Sequence, residues 1–249
     1  MAQLKIRNVS VSFGKKQILH SVDLQVSNGE FVTILGPSGS GKSTLFHLIG
    51  GLLHPDNGHI SLNNHEITGE RGHISYMPQS PSLLPWRTIL DNVLLGQELS
   101  GIADSEYARM MLQKAGLGDY EKAYPHELSG GMKQRAAFIR ALLSPQSVIC
   151  LDEPFSALDE LTRLDMQKWL LSIWQEHQKT ILFVTHNIDE ALFLSDRIVV
   201  LSQKPAHIVK EFTVPFPRPR NEDILLTREF LEVKKDIYYT LKQGLAVQS

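Results

Sequence analysis

Residues 36–43 read Gly-Pro-Ser-Gly-Ser-Gly-Lys-Ser, the pattern G-x-x-x-x-G-K-[ST], between an apolar run, Phe31–Leu35, and a helix expected over Leu45–Leu53. Such a loop turns successive backbone N–H groups toward a phosphate chain at the positive end of a helix. Gly36, Pro37, Ser38, Gly39, Ser40, Gly41 and Thr44 are the candidate phosphate-facing positions. Lys42 is placed to reach the β- and γ-phosphates, and the Ser43 hydroxyl to ligate Mg²⁺. The ligand this predicts is a nucleoside triphosphate with its magnesium ion.

A second pattern is Val148-Ile149-Cys150-Leu151-Asp152-Glu153, an apolar strand ending in two carboxylates. Alone it is an ordinary acidic turn after a core strand. Parallel strands present ligands at their C-terminal ends, so beside the glycine loop it predicts Asp152 near Ser43, holding Mg²⁺, and Glu153 one place farther out, toward an attacking water. Cys150 lies among apolar residues and is expected to pack rather than react.

These groups need a scaffold, and the chain is long enough to build one. Its 249 residues are 42% hydrophobic and 21% charged, within the ordinary range for a folded chain of one large domain or a core with a small subdomain. The formal charge of -2 provides no basic field for nucleic acid or an anionic membrane. One cysteine cannot form an internal disulfide, and the N-terminus lacks the pattern of a signal peptide; the expected location is the cytosol. The longest apolar runs are strand-length, so any membrane role is expected to pass through a partner.

Short strands are expected over Leu4–Phe13, Val22–Val26, Phe31–Leu35, His59–Leu62 and His73–Met77. From Thr88 to Leu143 the apolar spacing becomes helical. Strand Val148–Leu151, helix Leu161–Gln175, strand Thr180–Val184, helix Ile188–Leu194 and strand Arg197–Leu201 follow, an alternation that predicts a parallel sheet with crossover helices and an α/β fold. Prolines 215, 217 and 219 break regular structure, and an outer amphipathic helix is expected over Glu222–Leu241.

Leu128-Ser129-Gly130-Gly131-Met132, opening an apolar helix, forms a second set of amides suited to phosphate. This segment resembles the LSGGQ signature of ATP-binding cassette (ABC) ATPases. The resemblance covers essentially the whole chain: Gln79 fits the Q-loop, Ser156-Ala157-Leu158-Asp159 the D-loop and His186 the switch histidine, in the family's order and spacing. It implies a P-loop NTPase (RecA-like) core with an antiparallel β subdomain, within 1–87 and 146–214, a helical signature subdomain over 88–145, and a C-terminal helical tail over 215–249. It implies ATP and Mg²⁺ as ligands, Gln79 as a further Mg²⁺ ligand, and Glu153, His186, Gln79 and Lys42 as the catalytic group. Each ATP would lie in a head-to-tail dimer, between the 36–44 loop of one subunit and Ser129, Gly130 and Gly131 of the other. Met132 departs from the signature glutamine. Phe13 stands where the family commonly stacks a tyrosine on adenine, a role that needs only an aromatic face.

Glu70-Arg71-Gly72, Leu84-Pro85-Trp86-Arg87, Asp91-Asn92-Val93 and Pro217-Arg218-Pro219-Arg220 narrow the resemblance to ATPase subunits of nitrate-, sulfonate- and taurine-type importers, a branch that includes carriers of thiamine pyrimidine precursors. The implied partners are an integral membrane permease and an extracytoplasmic solute-binding protein, with the ATPase at the inner membrane face. Two rival classes are an export or lipoprotein-extraction ATPase and a soluble ABC ATPase acting on DNA or ribosomes. The 87-residue separation of Lys42 and Ser129 leaves no room for the long coiled coil of DNA-repair types, and a single cassette disfavours ribosomal types. Residues 80–86, Ser-Pro-Ser-Leu-Leu-Pro-Trp, are expected to form a surface loop bearing apolar side chains.

Overall fold

The computed structural model describes residues 2–246. The chain begins with β1 (Ala2–Phe13), β2 (Lys16–Ser27), β3 (Phe31–Leu35), α1 (Lys42–Ile49), β4 (Asn57–Leu62), β5 (His65–Glu66) and β6 (Ser75–Met77). Three helices follow, α2 (Ile89–Leu99), α3 (Ser105–Lys114) and α4 (Gly130–Leu143). The remainder alternates β7 (Val148–Asp152), α5 (Glu160–His177), β8 (Thr180–Thr185), α6 (Ile188–Leu194) and β9 (Arg197–Leu201), then β10 (Ile208–Thr213) and α7 (Arg228–Ala246).

Two sheets result. A four-stranded antiparallel sheet has the order β2-β1-β4-β5, and a six-stranded sheet the order β10-β9-β3-β8-β7-β6, parallel except for its β10 edge. Every residue of β3, β7 and β8 is buried, as strands covered on both faces require. One apolar cluster joins the antiparallel sheet, α1 and one face of the main sheet; a second joins the other face to α2, α3, α4 and α5. A third packs α7 against α6 and β9 through Phe230 and Ile237.

The register of the main sheet does the positioning. Leu35 pairs with Thr185, Val184 with Asp152, and Leu151 with Met77. The glycine loop, Asp152-Glu153, His186 and Gln79, far apart in sequence, thereby emerge at one sheet edge, outside the C-terminal ends of the strands.

The expected elements differ from those found in several places, among them the start of β2, at Lys16 rather than Val22. Helix α1 starts at Lys42 and stops at Ile49, short of Leu53, because Gly50 and Gly51 end it. At Gly51 φ is +68°, and a Cβ there would lie 2.1 Å from the Glu70 carbonyl oxygen. Gly51→Ala is therefore expected to cost about 3 kcal/mol and lower Tm by roughly 6–12 °C in a thermal melt. The expected strand His73–Met77 is confined to Ser75–Met77, following Gly72 at φ +90°. The expected outer helix divides at Thr227 into a 3₁₀ turn, Glu222–Leu226, and α7; the Thr227 hydroxyl caps α7 by accepting from Phe230 N at 3.2 Å. Strands β5 and β10 were not expected: β5 has two residues, and β10 is a largely exposed edge carrying Lys210 and Glu211.

Pro217-Arg218-Pro219-Arg220 acquires a structural role. Arg220 Nη1 donates to the carbonyls of Leu192, Phe193 and Ser195 at 3.0, 3.1 and 2.7 Å, so its cation closes the C-terminal end of α6. Burial lowers its guanidinium to about 10. Arg218 lies over the Trp174 ring at 4.2 Å and pairs with Asp196 at 2.8 Å.

Candidate active site

The loop between β3 and α1 curls around the Lys42 side chain, whose Nζ donates to the Gly36 and Pro37 carbonyls at 2.9 Å each. Burial pulls the Lys42 ammonium below its ordinary value, opposed by the carboxylates of Glu153 and Asp152. The N-cap of α1 is Gly41, at φ +110° and with Ile18 and Leu19 so close that a Cβ would meet Ile18 at 2.9 Å. A side chain there would push the loop away from the helix end that supplies the amides.

An open cavity of about 460 Å³ lies over this loop. Its floor is Ser38, Gly39, Gly41, Lys42, Ser43 and Thr44, and its rim carries Gln79, Glu153, His186 and Lys204. An adjoining cavity of about 320 Å³ is lined by Pro37, Ser38, Gly39 and Ser40 together with Lys16, Gln203 and Lys204. The two share Ser38, Gly39 and Lys204, and together they make a trough along the loop.

Asp152, buried at the end of β7, accepts from the Ser43 hydroxyl, and Tyr76 Oη lies 3.5 Å from its Oδ2. Burial raises the Asp152 carboxyl above its ordinary value, while Ser43 and then Lys42 act in the opposite direction. A buried carboxylate beside a hydroxyl that itself lines the cavity is an all-oxygen donor set of the kind Mg²⁺ takes with one carboxylate, phosphate oxygens and water. The residues present therefore fit that ion.

Glu153 has φ +47°, a left-handed conformation that turns its side chain out of the strand line, while its backbone N donates to Val184 O at 2.9 Å. Gln79 Nε2 donates to Glu153 Oε2 at 3.2 Å, and His186 Nδ1 stands 3.4 Å from Glu153 Oε1. One carboxylate is thus held between two polar side chains at the rim. A carboxylate so held is a group able to accept a proton from water.

The remaining expected residues are placed differently. Phe13 ends β1, 51% exposed, and lines neither cavity; its cross-strand partner Lys16 lines the second. Ser129 caps α4, accepting from Met132 N at 3.3 Å, and lies with Gly130 and Gly131 outside the trough. Ser129 and Gly130 are exposed, and a Cβ at Gly130 would meet nothing within 4 Å. Within one chain the two amide sets do not meet. Lys16, Gln203 and Lys204 carry no sequence motif: Lys16 opens β2, Gln203 and Lys204 follow β9, and only the fold brings these three beside the glycine loop.

Residues 19–156 match the family described as ABC transporter. The chain is 41% identical to the ABC transporter ATP-binding protein MJ0412 of Methanocaldococcus jannaschii, covering 96% of this chain and 91% of that one. It is 38% identical to the aliphatic sulfonates import ATP-binding protein SsuB of Bacillus cereus over 99% of this chain and 98% of the relative. The taurine import ATP-binding protein TauB of Ruegeria pomeroyi is likewise 38% identical, over 96% and 91%. Among solved structures, the dimeric post-hydrolysis state of the ATP-binding cassette MJ0796 bound to ADP and Pi superposes with a TM-score of 0.77 at 31% identity, covering 86% of this chain and all of that one. With a trough along the glycine loop, a matching family and relatives aligned along nearly their full length, the chain belongs to the ABC transporter family, as one of its ATP-binding cassettes.

Proposed function

We propose that the protein is the ATP-hydrolysing subunit of an importer of the sulfonate and taurine type, working as a dimer that closes around two MgATP and drives a membrane permease. The observation that carries the reading is the Glu153 carboxylate held between Gln79 and His186 over the glycine loop. In it, Lys42 and the loop amides bind the phosphates, Asp152, Ser43 and Gln79 hold Mg²⁺, which neutralises phosphate charge, and Glu153 takes the proton of the attacking water. His186, which lines the same cavity, donates to the γ-phosphate in this reading. Phe13 offers a ring face to the base from above Lys16.

The exposed Ser129 and Gly130, with the half-buried Gly131, support the dimer: amides that do not line their own chain's trough are free to cap the phosphate of another. The relative MJ0796 is itself dimeric. No helix among the described residues is long and apolar enough to cross a membrane, so the transport path is assigned to a separate permease. A solute-binding protein outside the membrane completes the importer.

Residues 80–86 form an irregular loop in which the apolar side chains divide. Leu83 packs inward against the helices, and the buried Asn92 grips Leu84 by both its N and O at 2.7 and 3.1 Å. Trp86 instead is 72% exposed. We assign Trp86 to the permease contact. Trp86→Ala is expected to leave Tm and basal ATPase within about 20% of the unaltered protein and to weaken permease assembly by about 2 kcal/mol or more. Co-purification with the permease and transport in vesicles measure this; a normal transporter would place the contact elsewhere. The function itself is tested by isolating the chain from native membranes. MgATP-dependent phosphate release by a complex containing a permease supports it, and isolation with nucleic acid or ribosomes overturns it.

A further inference from the structure

Glu190, on α6, is buried and lines no part of the nucleotide trough. Its Oε2 accepts from Thr185 Oγ1 at 2.6 Å, and Thr185 Oγ1 accepts from Asn187 N at 3.0 Å. The residues on both sides of His186 are therefore held through Glu190. Its other oxygen, Oε1, faces Arg163 of α5, with Nε at 3.8 Å. Arg163 Nη2 donates in turn to Leu158 O at 2.8 Å, in the turn 156–159 that follows Glu153. Ser156, in the same turn, donates from Oγ to Glu153 O at 2.9 Å. A small cavity of about 60 Å³ lies where Glu153, Ser156, Arg163, His186 and Glu190 converge. Burial raises the Glu190 carboxyl above its ordinary value, countered by the Thr185 hydroxyl and then Arg163. An ion pair with one buried partner is a weak source of stability compared with apolar packing, but it fixes the relative placement of the elements it joins.

We propose that Glu190 and Arg163 are positioning residues that lock the 156–159 turn to the strand end carrying His186, so that docking of a second copy of this chain against that turn and alignment of His186 over the nucleotide are set together. The link to docking rests on the dimeric reading above; the lock itself is a property of one subunit. Neither side chain touches the nucleotide trough. Each acts through a neighbour.

The test uses the full chain carrying Glu153→Gln as parent, with Glu190→Gln, Arg163→Gln and the double change added. Glu190→Gln keeps an amide oxygen for the Thr185 hydroxyl and removes the charge facing Arg163. Hydrogen exchange is read first, without nucleotide. Each single change is expected to speed exchange at amides 156–159 and 185–187 about tenfold, and the double change to add little more, as for residues acting through one contact. MgATP affinity of the monomer stays within about twofold, while the ATP-driven dimer dissociates about tenfold more readily. Unchanged exchange, or effects of the two singles that add in the double, overturns the lock. So does a uniform rise in exchange with lower Tm and lower nucleotide affinity, which marks a merely structural pair. Should the parent remain monomeric in MgATP, the dimeric reading fails, and the exchange cycle still decides the lock.

Discussion

Replacing Glu153 by Gln leaves MgATP affinity within about twofold and slows hydrolysis by ~10² to 10⁴, the range of a lost general base. Gln has the shape of Glu and tolerates the same φ of +47° equally well, so the turn is preserved. The amide keeps an oxygen to accept from Gln79, which stands 3.2 Å away, but has no basic site for a proton. The phosphate cradle lies on a different strand and helix, β3 and α1, and is untouched. Phosphate release measured beside equilibrium nucleotide binding separates the two effects. Turnover at the rate of the unaltered protein would remove Glu153 from its assigned role.

Lys42→Ala acts on the other half of the cycle: nucleotide affinity itself falls, by roughly 10- to 150-fold, as expected for a lost charge-assisted phosphate contact of about 1.5–3 kcal/mol. Two losses combine. The ammonium that faces the phosphates disappears, and so do the two hydrogen bonds by which Lys42 holds the Gly36 and Pro37 carbonyls at 2.9 Å. The loop loses its shape along with its charge. Titration with a fluorescent ATP analogue measures the change, and equal affinity in the Lys42→Ala and Glu153→Gln proteins would contradict the division of labour.

The parts of the site legible in sequence are those whose chemistry demands a local pattern. The 36–43 loop must join a strand to a helix, and the carboxylates of Asp152 and Glu153 must follow a buried strand; both requirements are written in neighbouring residues. Gln79 and His186 carry no such local signal, and family order alone placed them. Sheet register explains why that order works, since the pairings of β6, β7, β8 and β3 bring all four segments to one edge.

What sequence did not reveal lies in long-range or exposed structure. Lys204 and Gln203 follow β9 and meet the glycine loop only across the sheet. Arg163 and Glu190 belong to no sequence motif; their pairing appears only when α5 and α6 pack together. The end of α1 was misplaced because the apolar residues continue to Leu53 while the backbone turns at Gly50 and Gly51. The tail was read as one helix because the amphipathic pattern runs through Thr227, where the hydroxyl instead starts a new one.

The central claim, that a complete ATP site needs two copies of this chain, is tested most directly by light scattering of the Glu153→Gln protein. A mass near the 28.0 kDa of one chain is expected without nucleotide or with ADP. With MgATP twice that mass is expected, lost again when Ser129→Arg places a bulky cation at the exposed end of α4. The same mass in MgATP with and without Ser129→Arg, or no change in mass with MgATP at all, would contradict it.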